Sequence, residues 1–274
     1  MDTVIRASVG PYTITCRHEI LLDGEALVAK LLNPHSLMKK GRGEIRVLSL
    51  GEGLVACRKY IHGGLLRALT GDAFLSEKRA ASELEVMTHL ENHGFPTVKP
   101  YGYITKRRLF AKDLYLLTVF EEDAVDLVEF MNTSNRRTRM RVIRDLAHII
   151  FNMCRLGVYH PDLHLKNALV TKGRGLRLLD FDRAYRKAVT KCDIKRMFWR
   201  LNRFAEKRER AGDLVVTLQE KVLFLKVFER LSGYSLIQEM QKQLGLRHLM
   251  YRLGWWMENT LYGKKRESRN SPQS

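Results

Sequence analysis

The sequence predicts an α+β chain of two lobes, an antiparallel sheet with one helix followed by a mainly helical half. Residues 1–120 read as short strands broken by glycine around a single amphipathic stretch. From residue 124 onward the apolar residues recur at helical spacing, and the acidic run Glu121-Glu122-Asp123 stands where one pattern gives way to the other. The divisions expected are 1–120, 121–262 and a polar, basic tail at 263–274 that has no core to join.

Each element has its own signal. Residues 45–50 and 54–60 have strand length and composition, and Gly51-Glu52-Gly53 between them is a turn, so the pair is a hairpin. Residues 72–92 place Phe74, Ala81, Leu84, Met87 and Leu90 on a helical stripe, closed by Asn92-His93-Gly94, where glycine suits a left-handed cap. Residues 114–120 are an apolar strand. In the second half, 139–156 align Met140, Ile143, Leu146, Ala147, Ile150 and Cys154 on one face. Residues 167–170 and 176–181 flank Lys172-Gly173-Arg174-Gly175 as a small hairpin, and helical segments run from about 187 to about 262.

A chain of 274 residues with 45% hydrophobic residues can bury a sizeable core, which excludes general disorder. No stretch approaches the roughly 18 apolar residues of a membrane span, and Met1-Asp2-Thr3 does not begin a signal sequence, so the expected location is the cytoplasm. Cys16, Cys57, Cys154 and Cys192 form no C-x-x-C pair, which argues against a disulfide framework or a zinc knuckle. The net charge of +18 calls for a polyanionic partner: nucleic acid, an anionic membrane surface or a phosphorylated substrate. No nucleic-acid-reading motif accompanies the charge, which makes nucleic acid the least supported of these.

The chemistry concentrates at His160-Pro161-Asp162-Leu163-His164-Leu165-Lys166-Asn167. His160-x-Asp162-Leu163-x-x-x-Asn167 has the spacing of a kinase catalytic loop, and Asp180-Phe181-Asp182 follows across a short hairpin, where kinases carry a metal-binding Asp-Phe-Gly. Phosphoryl transfer needs a carboxylate at the acceptor hydroxyl and oxygen ligands for magnesium, and Asp162, Asn167 and Asp180 supply those groups. Turn-forming Asp and Asn residues are the bland alternative. His160 is expected to pack beneath the loop without a catalytic role. Lys166 either neutralises charge on the transferring phosphoryl group or faces solvent.

Nucleotide-holding candidates lie in the first half. Gly41-Arg42-Gly43 is either a shortened phosphate-covering turn or an ordinary one. Val55-Ala56-Cys57-Arg58 occupies the register of Val-Ala-Ile-Lys, which puts Arg58 in the place of the phosphate-binding lysine; Lys59 is the second choice, since alternation sends it to the other face. Glu83 is the expected helix partner of that cation, with Glu77 and Glu85 as competitors.

With these residues the sequence resembles the bacterial lipopolysaccharide core kinases, and among them the 3-deoxy-D-manno-octulosonic acid (Kdo) kinases. The resemblance spans about residues 41–207. It rests on Arg58-Lys59-Tyr60-Ile61-His62-Gly63-Gly64-Leu65-Leu66-Arg67, similar to the family's Arg-x-Tyr-x-x-Gly-Gly-x-x-x-Arg, on Glu83, on His160-x-Asp162-Leu163 with Asn167, and on Asp180-Phe181-Asp182-Arg183-Ala184. It implies a two-lobed, protein-kinase-like fold and transfer of the γ-phosphate of ATP, with magnesium, to a sugar hydroxyl of lipopolysaccharide or its lipid A-linked precursor. Asp162 would be the base, Asn167 and Asp180 the magnesium ligands, and Arg58 with Glu83 would position the phosphates. The loop departs from the family pattern: His164-Leu165-Lys166 stands for Asn-Ala-His, and Pro161 precedes the aspartate.

No Ala-Pro-Glu signature or long activation segment follows Asp182; Arg183 to Arg210 runs into basic helices instead. This favours a glycolipid acceptor at the cytoplasmic face of the inner membrane over the alternatives, a protein Ser/Thr kinase or a pseudokinase binding module. Leu246, Leu249, Met250, Leu253, Trp256 and Met257 share a helical face beside Trp255, which is either an interfacial anchor or ordinary packing.

Overall fold

The computed structural model describes residues 4–17, 24–32, 37–40, 44–50, 53–61, 72–173 and 175–240. The first half builds β1 (Val4–Val9), β2 (Tyr12–Arg17), α1 (Gly24–Leu32), β3 (Leu37–Lys40), β4 (Glu44–Leu50), β5 (Gly53–Lys59), α2 (Lys78–Asn92), β6 (Pro100–Arg107) and β7 (Lys112–Val119). Its strands form a seven-stranded sheet in the order β1-β2-β6-β7-β5-β4-β3, with every neighbouring pair antiparallel.

Strand alternation gives this sheet two dressed faces. Val55 and Cys57 of β5 join Ile14, Ile104 and Leu117 under Leu27, Val28 and Leu31 of α1. On the opposite face Tyr60, Leu114 and Leu116 pack with Ala80, Leu84, Met87 and Leu90 of α2. At Gly102 the register of β6 slips by a bulge, and a Cβ there would collide with the Thr15 carbonyl oxygen and Cys16 of β2.

The second half contains β8 (Val125–Asp126), α3 (Leu127–Thr133), α4 (Arg136–Arg155), β9 (Val158–Tyr159), a 3-10 turn (Leu165–Asn167), β10 (Ala168–Val170), β11 (Leu176–Leu178), β12 (Tyr185–Arg186), α5 (Lys191–Arg210) and α6 (Leu218–Ser232). Local chemistry sets the helix starts. Asp126 accepts from Val128 N and Glu129 N, Asn135 accepts from Thr138 N, and Thr190 with Asp193 and Thr217 with Glu220 form capping boxes. Val142, Ile143, Leu146, Ala147, Ile150 and Met153 make α4 the axis of the larger core, which extends from Tyr60 and α2 to Phe228 of α6.

The helix expected over 72–92 begins at Lys78. Phe74 instead bridges to Lys112, with backbone bonds of 2.8 and 2.7 Å in the two directions, so these residues serve the sheet edge before the helix starts. Gly94 closes the helix at φ +66°, the left-handed conformation that its position requires. Among the described residues the first half holds a second helix, α1, where the sequence reading has one; its short apolar run Leu27-Val28-Ala29 is hard to tell from a strand by composition.

The chain after α2 is stitched to β11. Leu178 N donates to Pro96 O at 2.9 Å, Val98 N to Leu178 O at 3.3 Å, and Thr97 Oγ1 to Leu178 O at 3.1 Å. A ring nitrogen of His89 on α2 lies 2.9 Å from Leu156 O at the end of α4.

Candidate active site

Arg58 leaves the inner end of β5 on the α2 side of the sheet. Its Nη2 donates to both carboxylate oxygens of Glu83 at 2.8 Å, and its Nη1 donates to Asp180 Oδ1, also at 2.8 Å. Tyr60, two positions along the same face, donates its hydroxyl to Glu83 Oε2 at 2.5 Å. Glu83 is completely buried. Burial pushes its carboxyl up to about 7 against the opposing pull of Arg58, and burial with the neighbouring Glu83 raises the Tyr60 phenol well above its usual range. Burial works against the charge of Arg58, but Glu83 and Asp180 outweigh it and hold the guanidinium protonated. Glu77 and Glu85, the competitors for this role, pair elsewhere: Glu77 with Arg6 and Lys112, Glu85 with Arg186.

Asp180 follows β11 with φ +64°, a left-handed conformation uncommon outside glycine and better tolerated by Asp than by most residues. The turn it makes continues through Phe181, whose carbonyl accepts from Ala184 N at 2.8 Å. Phe181 is buried against His160, with ring centroids 5.4 Å apart. His160 is itself fully buried, neither ring nitrogen has a hydrogen-bond partner among the described residues, and burial lowers its pKa to about 4. It props the loop as a neutral ring. Asp182 is clamped by Arg79 of α2 through Nε and Nη2, while the Arg79 guanidinium lies 5.3 Å from the Tyr60 ring centroid.

Asp162 and Asn167 come from the same loop. Asn167 Nδ2 donates to the Asp162 carbonyl at 3.3 Å, and Leu179 N donates to Asn167 O at 2.9 Å, tying the loop to the strand that delivers Asp180. Asp162 is partly exposed and accepts from Arg200 Nε of α5 at 2.8 Å.

The other sequence candidates fall apart from this group. Lys59, on the opposite face of β5, places Nζ 3.7 Å from Asp72 and 3.8 Å from Asp113. Lys166 is exposed in the 3-10 turn and lines a cleft with Asp126, Glu129, Asn132, Arg208 and Asp213, a wall that includes none of Asp162, Asn167 and Asp180. Gly41, Gly43, the segment 62–71, the face around Trp255 and Trp256, and the tail at 263–274 lie outside the described residues.

Three contributors escaped sequence reasoning. Tyr60 lies two positions after Arg58, and period-2 alternation along the strand is the signal that points to it. Arg79 stands one helical turn before Glu83, a position that a partner for Asp182 could have drawn attention to. Arg200 had no such signal, because only the packing of α5 brings it to the loop.

The profile of the Lipopolysaccharide kinase (Kdo/WaaP) family matches residues 37–225, most of the chain. The chain belongs to this family. Its similarity to individual relatives is distant. A 3-deoxy-D-manno-octulosonic acid kinase of Vibrio vulnificus (strain YJ016) is 26% identical over 152 residues, 54% of this chain and 64% of that relative. A protein of the same name from Xanthomonas oryzae pv. oryzae (strain PXO99A) is 26% identical over 178 residues, 60% of this chain and 70% of the relative. One from Xylella fastidiosa (strain 9a5c) is 25% identical over 162 residues, 57% and 64% respectively. The match thus spans less than two thirds of the Vibrio vulnificus relative's own length. Among the described residues no helix is long and apolar enough to cross a membrane.

The donor set can be tested against magnesium. Among the described residues no cluster of three or more His, Cys, Asp and Glu could hold a metal. Magnesium needs no such cluster, since it binds through one or two protein oxygens together with nucleotide phosphates and water. Asn167, whose Nδ2 is engaged with the Asp162 carbonyl, offers its amide oxygen, and Asp180 offers a carboxylate. Both are hard oxygen donors, and they fit.

Proposed function

We propose that this chain transfers the γ-phosphate of ATP to a hydroxyl of Kdo or another inner-core sugar of lipopolysaccharide or its lipid A-linked precursor, working peripherally at the cytoplasmic face of the inner membrane. The observation that carries the reading is the joining of Arg58, Glu83 and Asp180 in one bonded group, with Asp162 and Asn167 tied to the next strand. The family match and the printed names of the relatives support the glycolipid acceptor.

In this mechanism Asp162 accepts the proton of the acceptor hydroxyl as it attacks. Arg58, held by Glu83, presents its charge to the nucleotide phosphates. Asn167 and Asp180 would hold magnesium, which when bound supplies charge neutralisation on those phosphates. Tyr60 fixes the Glu83 carboxylate that holds Arg58, and Arg79 fixes Asp182, two residues beyond Asp180 in the same turn. Gly41 and Gly43 remain candidates for covering the phosphates.

Labelled ATP offered with Kdo-lipid A, lipopolysaccharide and a generic protein mixture tests the acceptor. Label in the glycolipid is the expected result. Label confined to protein would overturn the reading in favour of a protein kinase.

A further inference from the structure

Helix α5 runs alongside the catalytic loop in register with it. Arg200 bonds Asp162, Phe204 stacks on His164 with ring centroids 4.7 Å apart, and Arg208 lines the same cleft as Lys166. The inner face of the helix is buried through Ile194, Met197, Phe198, Leu201, Phe204 and Ala205. Flanking that face, Arg196, Arg200, Arg203 and Lys207 fall within about 60° of one another at about 100° per residue. They make a cationic row that passes Asp162.

Among the described residues, ion pairing accounts for Arg200 but not for the rest of this row. Arg196, Arg203 and Lys207 are exposed, and the nearest described carboxylate to Arg196 is that of Asp193, at 3.9 Å. Asp193 is committed to its capping box and to Lys187 at 2.8 Å, and Glu206 accepts from Asn202 at 2.7 Å. Like charges one helical turn apart destabilise a helix. On α4, by contrast, Arg136 donates to Gln219 and Arg139 to Glu220.

Arg200 joins the row to the reaction. Its Nε and Nη2 both point at Asp162 Oδ1, which leaves the Nη1 edge of the planar fork for a second oxyanion at the same time.

We propose that Arg196, Arg200, Arg203 and Lys207 form an anion track that binds phosphate or carboxylate groups of the acceptor glycolipid and aligns its hydroxyl with Asp162. Arg200 is the positioning residue shared by track and base. The inference rests on the kinase reading of Asp162 given above and assigns the acceptor's path to one face of one helix.

The test uses the full chain and Kdo-lipid A in detergent micelles, with phosphatidylglycerol micelles as a control for general charge. The triple variant Arg196→Gln, Arg203→Gln, Lys207→Gln should bind Kdo-lipid A on the order of a hundredfold more weakly. Its acceptor KM should rise while kcat and the affinity for a fluorescent ATP analogue stay within about twofold of wild type. Arg200→Gln should raise acceptor KM and lower kcat together, and Arg200→Lys should recover part of the loss. Dephosphorylated Kdo-lipid A separates the two anion sources: retained affinity identifies carboxylate, lost affinity identifies phosphate.

Unchanged acceptor affinity and KM in the triple variant would overturn the track, and so would equal wild-type affinity for phosphatidylglycerol. Absence of wild-type binding to Kdo-lipid A would do the same. Wild-type binding through the row without phosphate transfer would sink the acceptor assignment and leave the track standing. Transfer with an unaffected triple variant would sink the track alone.

Discussion

Arg58 donates to Asp180 across 122 positions of sequence at 2.8 Å, with the same guanidinium already holding both oxygens of Glu83. One planar cation therefore ties the sheet, helix α2 and the turn after β11 together. A lysine offers one compact ammonium, whereas arginine offers a fork that engages two carboxylates along different edges.

Arg58→Ala leaves the fully buried Glu83 without its cation, and stability should fall by about 3 kcal/mol, read from the urea midpoint. Arg58→Lys keeps the charge but not the forked hydrogen bonding to Glu83 and Asp180, so it should stay folded with KM for ATP raised roughly tenfold. Equal KM in Arg58→Lys and wild type would show that the fork has no part in nucleotide binding.

Asp162→Asn keeps the size of the side chain and an acceptor for Arg200 but removes the carboxylate. Turnover should drop by about 10²- to 10⁴-fold, with nucleotide affinity within about twofold of wild type. Transfer at the wild-type rate in a labelled-ATP assay would exclude Asp162 as the base.

His160 predicts a pH dependence of stability. Its pKa is lowered from 6.5 to about 4 by burial, so between these values the unfolded chain binds a proton that the folded chain refuses. Its contribution is present above pH 6.5 and is lost as pH falls toward 4, by about 1.4 kcal/mol per pH unit at most. His160→Phe removes this term. Between pH 7.5 and 5 the variant should lose about 2 kcal/mol less than wild type, by urea unfolding at each pH. Parallel losses in the two proteins would place the sensitivity elsewhere.

Asp182 stands where many kinases carry glycine, and Arg79 is its partner. Asp182→Gly and Arg79→Ala should each cost about 1–2 kcal/mol, and the double variant should cost less than their sum by roughly 1 kcal/mol or more. Strict additivity in thermal unfolding would mean that the pair contributes no coupling.

Legibility in the sequence followed the range of the physics. The hairpin of β4 and β5, the stripe of α4 and the cap at Gly94 depend on neighbours within a turn or a strand, and they were readable from spacing. Helix α2 was found but started too early, because Phe74 obeys the helical period while its backbone is claimed by Lys112 from a distant strand. At the site, Arg58 was separated from Lys59 by the register of Val55-Ala56-Cys57-Arg58 together with strand alternation. Arg79 and Arg200 were not named, since Arg79 meets Asp182 only when α2 packs on the second half and Arg200 meets Asp162 only when α5 packs against the loop.

The stitching of Pro96, Thr97 and Val98 to Leu178, with His89 against Leu156, decides which parts of the molecule travel together. Helix α2 is riveted at its far end to the strand that delivers Asp180, so Glu83 and Asp180 ride on one frame. Arg58 arrives from the sheet, and α2 packs on that sheet through Leu114, Leu116 and Tyr60 while Glu77 pairs with Arg6 and Lys112. Sheet, helix and the turn after β11 therefore share one scaffold, and the Arg58 group is held from three sides at once.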